Sequence, residues 1–152
     1  MRGRILAIDF GLKRMGLAVS DALGITAQGL PTRERTRLDD DLKHIRELVS
    51  EHCVERVIVG NPVSHTGGDT SMSRQVAAFV AKLARRLDCP IELWDERLTT
   101  AEALRMLRSS GMGIEKRRRA RDRVSTTLLL QSYLDFQANE RARQADAEKE
   151  SS

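Results

Sequence analysis

Three carboxylates stand where this chain passes from one element to the next. Asp9 follows the apolar run Ile5-Leu6-Ala7-Ile8, Glu96 follows Ile91 to Asp95, and Asp122 stands where a final leucine-rich helix is expected to begin. An acid placed directly after four apolar residues is costly to bury unless it is paired or bound to a cation. If the strands carrying Asp9 and Glu96 are neighbours, their carboxyl ends lie together, and the last helix can bring Asp122 beside them. Three converging carboxylates repel unless protonated or bridged. A hard cation with a taste for oxygen, Mg²⁺ or Mn²⁺, is the natural bridge. Two such ions about 4 Å apart can activate water and stabilise the leaving oxygen in phosphodiester hydrolysis. Taken singly, Glu96 and Asp122 read more readily as a cap or a surface ion pair than as ligands, and Asp9 alone does not.

Cations flank two of these acids. Lys13 and Arg14 lie in the glycine-bearing turn after Asp9, while Lys116, Arg117, Arg118, Arg119, Arg121 and Arg123 surround Asp122. Arginine holds phosphate oxygens in bidentate fashion, so both groups suit a nucleic-acid backbone. The run around Asp122 also reads as a solvated stretch in a flexible loop.

The elements that must position these groups follow from periodicity. Two apolar runs, ending at Asp9 and at Asp21, predict a strand pair, and Ala27 to Arg33 predicts a third strand despite Gly29 and Pro31. Leu38, Leu42, Ile45, Leu48 and Val49 share a helical face. Asp39-Asp40-Asp41 falls in that helix's first turn, where the dipole favours acids, and reads as a solvated helix start. Arg56 to Gly60 predicts a buried strand, followed by a loop through Pro62 and His65, the latter read as solvated. Met72, Val76, Phe79, Val80, Leu83 and Leu87 predict a second amphipathic helix.

Along Ile91 to Glu96, alternation puts Ile91, Leu93 and Asp95 on one face and Glu92, Trp94 and Glu96 on the other. Only one of Asp95 and Glu96 can therefore join a cluster. Thr99-Thr100-Ala101-Glu102 is a capping-box pattern opening a further helix, which makes Glu102 structural. The last helix carries Val124, Leu128 to Leu130, Tyr133 and Leu134. From Ala138 the chain is charged and poor in large apolar groups, so residues 1–138 are expected as one domain and 139–152 as a disordered tail.

Composition narrows the class. At 152 residues with 40% hydrophobic and 32% charged residues, the chain suits one globular domain. No apolar run approaches the ~20 residues that span a bilayer, and the N-terminus has no signal-peptide pattern, so a cytoplasmic protein without a membrane partner is expected. Cys53 and Cys89 lack metal or redox spacing and are expected as buried, reduced thiols. A net charge of +4 suits an anionic partner, while 3% aromatic content makes a row of base-stacking platforms improbable.

Four ordered motifs carry a resemblance. Ile8-Asp9-Phe10-Gly11-Leu12-Lys13-Arg14-Met15-Gly16-Leu17-Ala18-Val19-Ser20-Asp21, Val59-Gly60-Asn61-Pro62, Asp95-Glu96-Arg97-Leu98-Thr99-Thr100-Ala101-Glu102-Ala103, and Asp122 before Leu128-Leu129-Leu130-Gln131 resemble the YqgF/RuvX family over roughly Arg4 to Leu134. Its members are RNase H-like proteins assigned as Holliday junction resolvases and as nucleases maturing the 5′ end of pre-16S rRNA. The resemblance implies an α/β fold, RNase H-like, with a five-stranded mixed sheet flanked by helices. It maps the family's acids onto Asp9, Glu96 and Asp122, leaving Asp95 for structural pairing. Leu12 and Ser125-Thr126 depart from the family's small hydroxyl residue and alanine pair.

The expectation is a metal-dependent nuclease for the 5′ end of pre-16S rRNA. The alternatives are a Holliday junction resolvase and a non-catalytic module binding nucleic acid in transcription or ribosome assembly. A sugar-kinase or actin-like ATPase shares the Asp-X-Gly strand turn, but a single short domain lacks a second lobe to close over ATP. The expected partner is structured RNA, with branched DNA as the alternative. The chain is expected as a monomer or a homodimer, the latter suiting symmetric cleavage of two strands.

Overall fold

The computed structural model describes residues 3–62, 66–96 and 114–151, with side chains of the last helix described from Ser125 to Glu150. The strands are β1 (Arg4–Phe10), β2 (Arg14–Ser20), β3 (Ala27–Glu34), β4 (Val54–Asn61) and β5 (Ile91–Asp95). The helices are α1 (Leu38–Glu51), α2 (Ser71–Ala84) and α3 (Ile114–Ser151). One mixed five-stranded sheet has the order β3-β2-β1-β4-β5. β1 runs antiparallel to β2 and parallel to β4, which runs parallel to β5.

Strand alternation sorts the core into two layers. Leu6, Ile8 and Phe10 of β1 and Val57 and Val59 of β4 pack with Leu42 and Ile45 of α1 and Val76, Phe79 and Leu83 of α2. Ala7 and Ile58, from the other face of the same strands, pack with Trp94 and with Leu129, Leu130, Tyr133 and Leu134 of α3. Burial on both faces is why β1 and β4 read as continuous apolar runs.

The third strand forms at the sheet's edge, where Pro31 is tolerated. Leu17 pairs with Leu30 and Met15 with Arg33, so Pro31 and Thr32 together oppose Gly16 in a bulge. α2 starts on a capping box between Thr70 and Ser73.

Four expectations need correction. The acidic triplet is not simply solvated: Asp39 pairs with Arg86 at 2.9 Å, and Asp41 is fully buried between Arg33 and Arg35. Cys53 is exposed and Cys89 half-buried, both as free thiols. Cys53 follows the end of α1 with φ +52°, in the left-handed position that closes a helix rather than in the core. The last helix begins at Ile114, so the basic run lies on helix rather than in a loop. Finally, the stretch beyond Ala138, expected as a tail, continues α3 to Ser151. Its alanine, glutamate, arginine and lysine favour helix locally, and its side chains stand in solvent from Ala142 to Glu150. The expected capping box at Thr99 to Glu102, its helix and His65 lie outside the described residues.

Candidate active site

Asp9 and Glu96 meet on the α3 face of the sheet, although their strands are not neighbours. β4 lies between β1 and β5, and two strand spacings separate the backbones by about 9.5 Å. Gly60 is what lets the side chains cross. In register, Ile8 pairs with Val59, and Gly60 pairs with Trp94. Gly60 therefore stands between the ends of the two outer strands, on the face of Ile58 and α3. A Cβ there would lie 2.6 Å from Glu96 Oε1 and 2.7 Å from Leu129 Cδ1. The missing side chain opens a slot through which the longer of the two acids reaches over β4. In sequence, Gly60 stands out as a glycine after the β-branched run Val57-Ile58-Val59 and as part of the motif Val59-Gly60-Asn61-Pro62.

The parity of β5 selects the acid. Trp94 packs in the α3 layer, whereas Ile91 packs in the α1 and α2 layer, so Glu96 emerges on the α3 side just past the strand's end. Asp95 takes the opposite parity. Glu96 is hydrogen-bonded to the Asp9 side chain, and its carboxyl is pushed up to about 8. Burial is the largest cause, followed by the charge and hydrogen bond of Asp9 and the charge of Asp95. Two carboxyl groups at hydrogen-bonding distance in a partly buried slot favour sharing one proton, since two full charges there would repel.

α3 runs toward the opposite end of the sheet as it passes the site. Leu129 lies against Gly60 near the carboxyl end of β4, and Tyr133, one turn later, reaches Arg56 near the amino end. The Tyr133 hydroxyl accepts from Arg56 Nη1 at 2.7 Å and donates to Glu92 Oε2 at 2.9 Å, tying the helix to β4 and β5. Gln131 accepts from the Ala27 N–H and donates to the Ile25 carbonyl, both at 3.0 Å, tying it to the start of β3. Asp122 precedes Leu129 by seven residues, two turns or about 10 Å along the axis. Its backbone thus stands on the helix stripe of Leu129, toward the end of the sheet that carries Asp9 and Glu96. The Asp122 side chain lies outside the described residues, as do those of Lys116, Arg117, Arg118, Arg119, Arg121 and Arg123. Among the described residues no group of three metal-ligating side chains is complete.

The β1–β2 turn borders the same end. Gly16 of β2 pairs with Asp9. Lys13 is exposed in the turn and Arg14 begins β2. The turn closes through Gly11 N–H donating to the Arg14 carbonyl at 2.9 Å. A Cβ on Gly11 would meet that oxygen at 2.5 Å, so only glycine fits.

This pair suits a hard divalent cation on chemical grounds. The donors are carboxylate oxygens, and a cation would replace the shared proton and remove the mutual repulsion. Such an ion would be held by Asp9 and Glu96 and would take further oxygen ligands to complete its shell.

Comparison with known proteins agrees with the geometry. Residues 3–136 match the family described as RuvX: Holliday junction resolvase. A protein of Koribacter versatilis is 45% identical over 135 residues, 89% of this chain and 88% of its own length. One from Halalkalibacterium halodurans is 43% identical over 136 residues, 88% and 97% of the two chains. Both are named "Putative pre-16S rRNA nuclease". Among solved structures, T. thermophilus RuvC in complex with Holliday junction substrate superposes with a TM-score of 0.58 at 14% identity, over 89% of this chain and 96% of that one. The yeast mitochondrial Holliday junction resolvase Ydc2 gives 0.60 at 12% identity, over 97% and 84%. At such identities the likeness shows the fold, the RNase H-like sheet expected above. With its motifs falling on β1 and β2, β4, the end of β5 and α3, and with relatives matched over most of both lengths, the chain belongs to the RuvX family.

Proposed function

We propose that this protein is a divalent-metal-dependent nuclease that hydrolyses a phosphodiester bond in processing the 5′ end of pre-16S rRNA. The observation that carries this is the Asp9–Glu96 pair, two hydrogen-bonded carboxyl groups brought together across Gly60. Asp122, on α3, is the third ligand, and Mg²⁺ or Mn²⁺ is the ion. When bound, the ion supplies an activated water and charge stabilisation at the scissile phosphate. The chain supplies the rest. Asp9 and Glu96 fix the ion's place, Gly60 and Leu129 fix Glu96, and Lys13, Arg14 and the run Lys116 to Arg123 hold the substrate's phosphates. Residues 1–138 form the catalytic unit, acting in the cytoplasm.

The choice of rRNA rests on the names of relatives 38–45% identical to this chain. A four-way DNA junction is the second reading, favoured by the family's description and by the fold shared with RuvC. Incubating the protein with a pre-16S rRNA fragment and with a junction, in Mg²⁺ and in Mn²⁺, separates the two. The expected result is cleavage of the rRNA precursor, abolished in Asp9→Asn. Equal cleavage by wild type and Asp9→Asn would assign the activity to a contaminant. Metal binding and salt-sensitive RNA binding without cleavage would leave a binding module.

A further inference from the structure

Arg35 makes an unusual set of contacts for a residue at the end of an edge strand. Its Nη1 donates to the Gly11 carbonyl at 3.1 Å and to the Leu12 carbonyl at 3.3 Å. Its backbone N–H donates to the Lys13 carbonyl at 2.8 Å. Its guanidinium lies over the Phe10 ring, 4.5 Å from the centroid. The carbonyls of Gly11, Leu12 and Lys13 therefore all end on Arg35, beginning two residues after Asp9.

The arginine is itself anchored. Its Nε donates to Asp41 Oδ2 at 3.1 Å, and Asp41 is fully buried in the first turn of α1. The other oxygen, Asp41 Oδ1, accepts from Arg33 Nε and from the Thr36 N–H, both at 3.1 Å. Burial alone would raise the Asp41 carboxyl, but Thr36, Arg35 and Arg33 outweigh it and hold it below the ordinary range. The carboxylate thus stays charged and the fork stays aimed.

The turn needs such an anchor. Leu12 is 64% exposed and Lys13 is also exposed, so apolar packing does not set the tip's shape. Turning the Gly11 and Leu12 carbonyls onto the guanidinium, with the Lys13 carbonyl on the Arg35 backbone N–H, also keeps their negative ends away from an approaching phosphate, which they would repel. We infer that Arg35, anchored on Asp41, is a positioning residue that holds the β1–β2 turn in the shape in which it receives the nucleic-acid backbone beside Asp9. This rests on the nuclease reading for its ligand, but not for the clamp itself.

Arg33 provides the internal control. It shares the Asp41 carboxylate but reaches Thr36 Oγ1, at 3.4 Å, rather than the turn. Arg35→Gln, Arg35→Lys and Arg33→Gln are compared by urea unfolding, by hydrogen exchange of the peptide spanning Gly11 to Arg14, and by anisotropy with a labelled pre-16S rRNA fragment. Both glutamine variants should lose stability. Only those at Arg35 should speed exchange in the turn and raise Kd by about tenfold, with kcat changed far less, the scale of a lost charge-assisted contact. Lysine should not rescue, because a single ammonium cannot span Asp41, two carbonyls and a ring. Equal exchange and equal Kd in the Arg33 and Arg35 variants, or full rescue by lysine, would overturn the inference. If the wild type binds no RNA, the nuclease reading falls, while the exchange contrast still decides whether Arg35 holds the turn.

Discussion

Replacing Gly60 by alanine adds one methyl group at the crossing point of the site. That carbon would stand 2.6 Å from Glu96 Oε1, 3.2 Å from Glu96 Cγ and 2.7 Å from Leu129 Cδ1. Oε1 must retreat by about 0.8 Å to regain an ordinary contact at 3.4 Å. Leu129, 3% exposed in the cluster of Ala7, Ile58 and Trp94, has little room to yield. The glutamate therefore moves, and its hydrogen bond to Asp9 is disturbed. Gly60 is not among the positive-φ glycines of the described residues, which are Gly24 and Gly67, so the cost is steric rather than a backbone penalty. Overpacking of this kind costs about 1–3 kcal/mol of stability, and a displacement near 1 Å at a reacting centre costs on the order of 100-fold in rate. Gly60→Ala should therefore remain folded, bind Mn²⁺ more weakly by calorimetry, and cleave pre-16S rRNA about 100-fold more slowly. A folded Gly60→Ala protein with wild-type Mn²⁺ affinity and rate would refute the crossing of β4 by Glu96.

Three further outcomes follow from the same geometry. Because the Glu96 carboxyl sits at about 8 when folded and near 4.3 when unfolded, its contribution to metal-free stability is full below the lower value and is lost as pH rises through the upper one. Urea unfolding in EDTA at pH 5 and pH 8.5 should show that loss, Glu96→Gln should flatten it, and an unchanged slope in the variant would remove the Asp9–Glu96 pair as its source. Tyr133→Phe leaves Arg56 and Glu92 without the hydroxyl they share and should cost about 1–2 kcal/mol in denaturant unfolding, with no loss showing that this tie does not secure α3. Cys53→Gly relieves a left-handed residue at φ +52° and should stabilise by about 0.5–1 kcal/mol, a gain that thermal unfolding reads directly and that any drop in Tm would contradict.

The local patterns of the chain carried much of this outcome. The apolar run before Asp9, the alternation that separates Glu96 from Asp95, and the helical stripes of α1 and α2 are all properties of near neighbours in sequence, so periodicity exposes them. The same locality explains the failures. Asp41 looked like an ordinary acid in a first turn because its partners, Arg33 and Arg35, arrive on another element, and only packing puts the three together. α3 outran its expected ends because local helix propensity continues where apolar burial stops, both before Asp122 and after Ala138. Above all, sequence could place acids at the ends of β1 and β5 but not the order of the strands, since pairing between distant segments is decided by the assembled sheet. With β4 lying between them, the Asp9–Glu96 pair depends on a glycine whose neighbours in space, not in sequence, give it its role.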